Sequence, residues 1–268
     1  DRANIAQNTV RHLSGSRFAF YTERMRSQVL REKAMEAEME DALKNGEFCV
    51  YLQGQVDIQH GDQITGAEAL IRWKRPDLGL EPPSLFVPLF EKNGFIVEID
   101  HYVFEHVCMY LRKRLWEGKP LFKIAVNVSR MTLIQPDFPE QYQKIKNAYG
   151  IPDGFLELEC TETVVIENLK KFKEVSARLH QYGFHLELDD FGSGYSSLNV
   201  LKDIDADVLK LDMVFFQNGL THERERVIVS SIVAMAGALN MRVVAEGVET
   251  MQQVSFLRRI GCNSIQVF

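Results

Sequence analysis

The chain has 268 residues, 46% hydrophobic and 25% charged, enough for one large domain or two small ones with a sizeable core. A net charge of -6 argues against a general binder of duplex nucleic acid or membrane surfaces, because phosphate-rich partners are not attracted to an acidic body. Cys49, Cys108, Cys160 and Cys262 stand far apart with no CxxC spacing, which argues against a zinc site or a disulfide framework and points to reduced, cytoplasmic thiols.

Residues 1–46 are polar and helix-prone, and the stretch 20–46 reads as one long helix closed by Gly46. From residue 47 onward the texture changes to short apolar runs alternating with amphipathic helices. FCVYLQGQVDI and TGAEALIRW come first, separated by about six residues, too few for a helical crossover, so this pair is expected to be antiparallel. Helices around SLFVPLFEKNG and DHYVFEHVCMYLRKRLWEG follow. KIAVNVS, FLELECTET, HLELDDF, DVLKLD, RVVAEGV and SIQVF then alternate with helical stretches to the end of the chain. This rhythm predicts an α/β fold, a (β/α)8 TIM-like barrel with its first two strands antiparallel, preceded by an N-terminal helical segment. A doubly wound open sheet is the alternative. No apolar run is long enough to cross a bilayer and Asp1 begins no signal peptide, so a membrane tether would lie in other parts of a longer protein.

In barrels of this kind chemistry sits at the C-terminal ends of the strands. Glu68, Asn127, Glu159, Asp189, Asp190, Lys210, Glu246 and Gln266 all fall there. A single strand-end carboxylate is as easily a helix cap or a solvated tip. Four or five of them at one mouth would repel one another unless cations are present. Oxygen-rich, sulfur-free ligation suits a hard divalent ion, Mg²⁺ or Mn²⁺. Asp189 and Asp190 are adjacent, and because side chains alternate faces along a strand, both can serve one site only if the strand ends between them. Gly192 and Gly194 would then let the backbone turn sharply.

GAEALIRW, VNVS, ELECTE, DDFGSGYSSL, LKLD and AEGVET, in this order from about Phe48 to Phe268, resemble the motifs of the EAL-family cyclic di-GMP phosphodiesterases. The resemblance implies a phosphodiesterase, with two Mg²⁺ or Mn²⁺ ions, that linearises cyclic di-GMP to pGpG. It implies metal ligation by Glu68, Asn127, Glu159, Asp189, Asp190 and Glu246, and a catalytic role for Glu246 and Lys210 on the attacking water and for Glu68. Gln53, Leu70, Arg72, Asp190 and Gln266 match substrate-side positions, and Glu162 matches a residue that anchors the DDFGSG loop. Two ions roughly 4 Å apart can neutralise a phosphodiester and generate a nucleophile near neutral pH, which is why such a site needs fixed carboxylates. The alternative is a catalytically impaired domain that serves as a cyclic di-GMP receptor or interaction module.

The resemblance also implies a homodimer and, for residues 1–46, the tail of a preceding GGDEF-type domain or a link from a sensor domain, leaving 47–268 as the barrel. Four positions depart from the family pattern. Gly54 replaces a proline, Ser193 a loop threonine, Val267 a glycine after the last glutamine, and Glu81 an apolar residue. A β-branched residue cannot readily take backbone shapes open to glycine, so Val267 is expected to change the last edge of the site.

Overall fold

The computed structural model describes residues 2–10, 18–192, 198–216, 220 and 222–266. Its elements in chain order begin with α1 (Arg2–Val10), α2 (Glu23–Lys44), β1 (Phe48–Asp57), β2 (Gln63–Arg75), β3 (Gly79–Glu81), α3 (Val87–Asn93) and α4 (Ile96–Trp116). Next come β4 (Lys123–Asn127), α5 (Arg130–Leu133), α6 (Phe138–Tyr149), β5 (Leu156–Thr161), α7 (Glu162–Glu167), α8 (Leu169–Gln181) and β6 (His185–Phe191). The remainder is α9 (Leu198–Asp203), β7 (Val208–Leu211), α10 (Glu223–Ala238), β8 (Arg242–Glu246), α11 (Met251–Arg259) and β9 (Ser264–Gln266). The chain forms two compact units: the described residues up to Cys49 with Ile71–Asn93, and Val50–Leu70 with Gly94 onward.

In the first unit, α2 starts at Glu23 because the Thr22 side chain accepts from the Met25 amide, leaving Phe20 and Tyr21 outside the expected helix. It ends where expected, with Gly46 at a φ of 70° that favours glycine. Phe48, Trp73, Phe86 and Phe90 are fully buried, their ring centroids 5.0 to 6.1 Å apart, and supply this unit's apolar centre. Glu81 accounts for its own departure from the family pattern. It is 4% exposed and ion-paired with Arg31 of α2 at 3.2 Å and with Arg75 at 3.4 Å, while Arg75 also binds Glu38 of α2. A charge there is tolerated because cations neutralise it.

In the second unit the strands follow the order β1-β9-β8-β7-β6-β5-β4-β2, and β1 also pairs with β2, closing a barrel. Strands β2 and β4 through β9 are mutually parallel, whereas β1 runs antiparallel to β9 and therefore antiparallel to β2, as the short connection requires. Ile124, Ala125 and Val126 on β4, Val208, Leu209 and Leu211 on β7, and Val243, Val244 and Ala245 on β8 are all buried. Such near-continuous apolar runs, broken on β7 only by Lys210, identify parallel strands covered on both faces. Burial pushes the thiols of Cys108, Cys160 and Cys262 up to about 12, so they serve as packing groups. No helix among the described residues is long and apolar enough to cross a membrane.

Candidate active site

The strand-end polar residues converge on one buried cation. Lys210 of β7 is 1% exposed, and its Nζ lies 3.2 Å from Glu68 Oε2 of β2, 3.3 Å from Asp189 Oδ1 of β6 and 2.9 Å from Glu246 Oε1 of β8. The ammonium also donates to Glu159 Oε1 of β5. Burial works against a charged lysine, but the fields of Glu159, Glu68, Asp189 and Glu246 outweigh it and hold the Lys210 pKa well above its ordinary value. The lysine is thus the counter-ion of these carboxylates.

Glu68 is held by three neutral or cationic donors, two of them in addition to Lys210. Asn127 Nδ2 of β4 donates to Oε1 at 2.9 Å, Gln266 Nε2 of β9 donates to Oε2 at 2.7 Å, and Lys210 completes the set. The loops behind these ligands are pinned by side chains that sequence reasoning passed over. Asp100 of α4 accepts from the Ser129 amide at 2.9 Å and from Thr132 Oγ1 at 2.6 Å, fixing the turn after Asn127. Gln253 of α11, 3% exposed, accepts from the Glu249 and Thr250 amides and donates to the Phe216 carbonyl, fixing the turn after Glu246. With Thr250 it also forms a capping box at the start of α11.

The paired aspartates are arranged differently from the expectation. β6 does not end between them but runs on to Phe191, with a register shift against β7 between Leu188 and Phe191. Asp190 takes a left-handed φ of 56°, a conformation that Asp tolerates better than most residues. This bulge, rather than a strand end, re-aims the second carboxylate. Burial, with Asp189 and Asp212 beside it, pushes Asp190 up to about 6. The next glycine is obligatory: Gly192 has a φ of 100°, and a Cβ there would stand 2.1 Å from the Phe215 ring.

Gln53 lies half-buried on β1 and Leu70 half-buried on β2 in the barrel unit, while Arg72 lies further along β2 in the first unit. Glu162 is buried at the first residue of α7, but residues 193–197 of the loop it was expected to anchor, Gly194 among them, lie outside the described residues, as does Val267. At the other end of the strands, Lys123, His185 and Arg242 surround Glu157 and, against the effect of burial, hold it at about 2. Burial and Glu157 raise Glu187 well above the carboxylate range, with Lys210 and Arg242 opposing them.

Among the described residues no group of three or more His, Cys, Asp and Glu side chains is arranged to hold a metal ion; the carboxylates point at Lys210 instead. The donor set nevertheless suits a hard divalent cation. All the acceptors are oxygens, and Glu159 Oε2 and Asp189 Oδ1 are buried without a hydrogen-bond partner, the condition a bound ion would relieve.

The EAL-domain family model matches residues 36–266. The bifunctional diguanylate cyclase/cyclic di-GMP phosphodiesterase MucR of Pseudomonas aeruginosa is 35% identical over 252 residues, 94% of this chain and 36% of MucR. The cyclic di-GMP phosphodiesterase PdeR of Escherichia coli is 31% identical over 267 residues, 99% of this chain and 40% of PdeR. The solved structure of the MucR phosphodiesterase in complex with c-di-GMP aligns with a TM-score of 0.82 at 35% identity, covering 88% of this chain and 95% of that one. The chain spans about a third of the length of the curated relatives it matches.

Proposed function

Since this chain belongs to the EAL-domain family, we propose that it hydrolyses cyclic di-GMP to linear pGpG with the help of two Mg²⁺ or Mn²⁺ ions. The observation that carries this reading is the convergence of Glu68, Glu159, Asp189 and Glu246 from four strands on one centre, with two buried carboxylate oxygens that accept no hydrogen bond. Glu68, Asn127, Glu159, Asp189, Asp190 and Glu246 would hold the ions. Bound there, the ions supply Lewis acidity that offsets the phosphodiester charge and eases ionisation of the attacking water.

The chain's own groups do the rest. Burial raises the Glu246 pKa, with Asp189 and Glu68 adding to the effect and Lys210 opposing it, which improves Glu246 as a proton acceptor at its carboxylate. Lys210, 2.9 Å from Glu246, orients the water beside it. Arg72 takes a phosphate, and Gln53, Leu70, Asp190 and Gln266 contact the substrate. Glu162 anchors the loop after Asp190.

We also assign residues 1–46 as a connector from a GGDEF-type or sensor domain and 47–268 as the phosphodiesterase barrel, working in the cytoplasm as a homodimer. Support for the dimer is the exposure of Val227 and Ile228 on α10, next along the chain from α9 and β7. A second reading, a receptor that binds cyclic di-GMP without cleaving it, is favoured by the pairing of the carboxylates with Lys210 rather than in an ion-ready set.

The test is incubation of the purified chain with cyclic di-GMP and Mg²⁺ or Mn²⁺, with products separated by chromatography. Hydrolysis to the linear dinucleotide, abolished by chelator and by Glu68→Gln, is expected. Activity that survives thorough chelation, or a fully active Glu68→Gln, contradicts the metal-dependent reading.

A further inference from the structure

Glu68 is aimed by Gln266, and something must aim Gln266. A carboxylate accepts hydrogen bonds and cannot donate them, so the end of the Gln266 amide facing Glu68 has to be its NH₂ group. The Gln266 Oε1 then points the other way, and the side chain is 5% exposed, so water does not satisfy it. The donor that meets it is Gln55 Nε2 at 3.3 Å. Gln55 stands on β1 directly across from Gln266 of β9 in the antiparallel register, and it is itself 2% exposed. The two amides therefore form a relay with one direction, Gln55 to Gln266 to Glu68 Oε2. A flip of Gln266 would set Oε1 against the carboxylate and NH₂ against the NH₂ of Gln55, and both contacts would become repulsive.

The strand beside the relay makes room for it. Gly66 on β2 has an ordinary negative φ, so its backbone does not require glycine, yet a Cβ there would come within 2.9 Å of Gln55 Oε1. The absent side chain thus serves the amide of Gln55, two residues before Glu68 on the same strand.

We propose that Gln55 is a positioning residue for the site. Its amide locks Gln266 in the one orientation that donates to Glu68, and so keeps the Glu68 carboxylate directed at the centre where a divalent ion would be held. This role rests on the metal-dependent reading above. The relay acts in series, so removing either amide has the same consequence.

The experiment compares the parent with Gln55→Met, Gln266→Met, the double variant and Gly66→Ala. Mn²⁺ affinity is read from the electron paramagnetic resonance signal of the free ion, beside kcat and KM for cyclic di-GMP. Loss of one buried hydrogen bond predicts about tenfold weaker Mn²⁺ binding in Gln55→Met, a similar fall in kcat, and KM unchanged within about twofold. Gln266→Met should match it in Mn²⁺ affinity, and the double variant should bind Mn²⁺ no worse than Gln266→Met alone. Gly66→Ala, which leaves both amides in place but crowds Gln55, should weaken Mn²⁺ binding in the same direction.

A double variant whose loss is the product of the two single losses overturns the relay. So does Gln55→Met, or a folded Gly66→Ala, with parental Mn²⁺ affinity. A parent that binds Mn²⁺ without cleaving substrate overturns the hydrolase reading alone, because the Mn²⁺ comparison still decides the relay. A parent that binds no Mn²⁺ overturns both.

Discussion

Replacing Lys210 by methionine tests the electrostatics of the site most sharply. The side chain keeps its length and loses its charge, while Glu68, Glu159, Asp189 and Glu246 remain around a position that is 1% exposed. Removing one partner of a buried ion pair typically costs about 3–5 kcal/mol, because the remaining charge is left uncompensated. For a domain of this size each kcal/mol moves the melting temperature by about 2–4 °C, so a fall of roughly 6–20 °C is expected in the presence of chelator. The loss should shrink as the pH is lowered, since the stranded carboxylates then take up protons. Mn²⁺ at a hundred times its Kd should raise the variant by about 2.7 kcal/mol above its own value in chelator, by binding the folded state. The assay is thermal unfolding of parent and variant in chelator and in Mn²⁺. A variant that melts within about 2 °C of the parent in chelator would refute the idea that Lys210 balances four carboxylates.

Two further outcomes follow from particular contacts. Gly192→Ala combines a disfavoured backbone with a Cβ 2.1 Å from the Phe215 ring; it should cost about 2 kcal/mol or more, and an unchanged melt would show that Phe215 yields freely. His180 is held by a hydrogen bond to Asp207 Oδ2 at 2.9 Å, and this bond first, against burial and with the charges of Asp207 and Asp205, raises its pKa. Its contribution is therefore fully present below the unfolded histidine pKa of about 6.5 and is lost as pH rises through the folded value. The melting difference between parent and His180→Asn should be larger near pH 6 than near pH 9, and the reverse order would refute this coupling.

The barrel was legible because strand and helix periods alternate over most of the chain and only one connection is too short to hold a helix. The ligand candidates were legible for a related reason, since a carboxylate closing an apolar strand such as FLELE or HLELDD is a local anomaly. What stayed hidden depends on contacts between distant segments. Lys210 draws its four partners from four strands, which no local window can reveal. Gln55 sits in LQGQVD, where two alternating glutamines read as a polar strand face, and its partner lies 211 residues away. The resemblance drew attention to Gln53 and passed over its neighbour on the same face. The β6 bulge depends on a left-handed Asp190, which strand alternation alone cannot foresee. β3, three residues long beyond a turn, carries too little pattern to be seen at all, and Glu81 at its end is explained by arginines at positions 31 and 75.

The measurement that tests the central claim most directly is cleavage and affinity on one preparation. Cyclic di-GMP binding is measured first with Ca²⁺, whose loose coordination should permit binding but position the attacking water poorly. A single turnover is then started with Mg²⁺ or Mn²⁺. The account predicts conversion to the linear dinucleotide by the parent, and binding with turnover reduced by orders of magnitude in Asp190→Asn. Tight binding with no cleavage by the parent in either ion would contradict it and leave the receptor reading in its place.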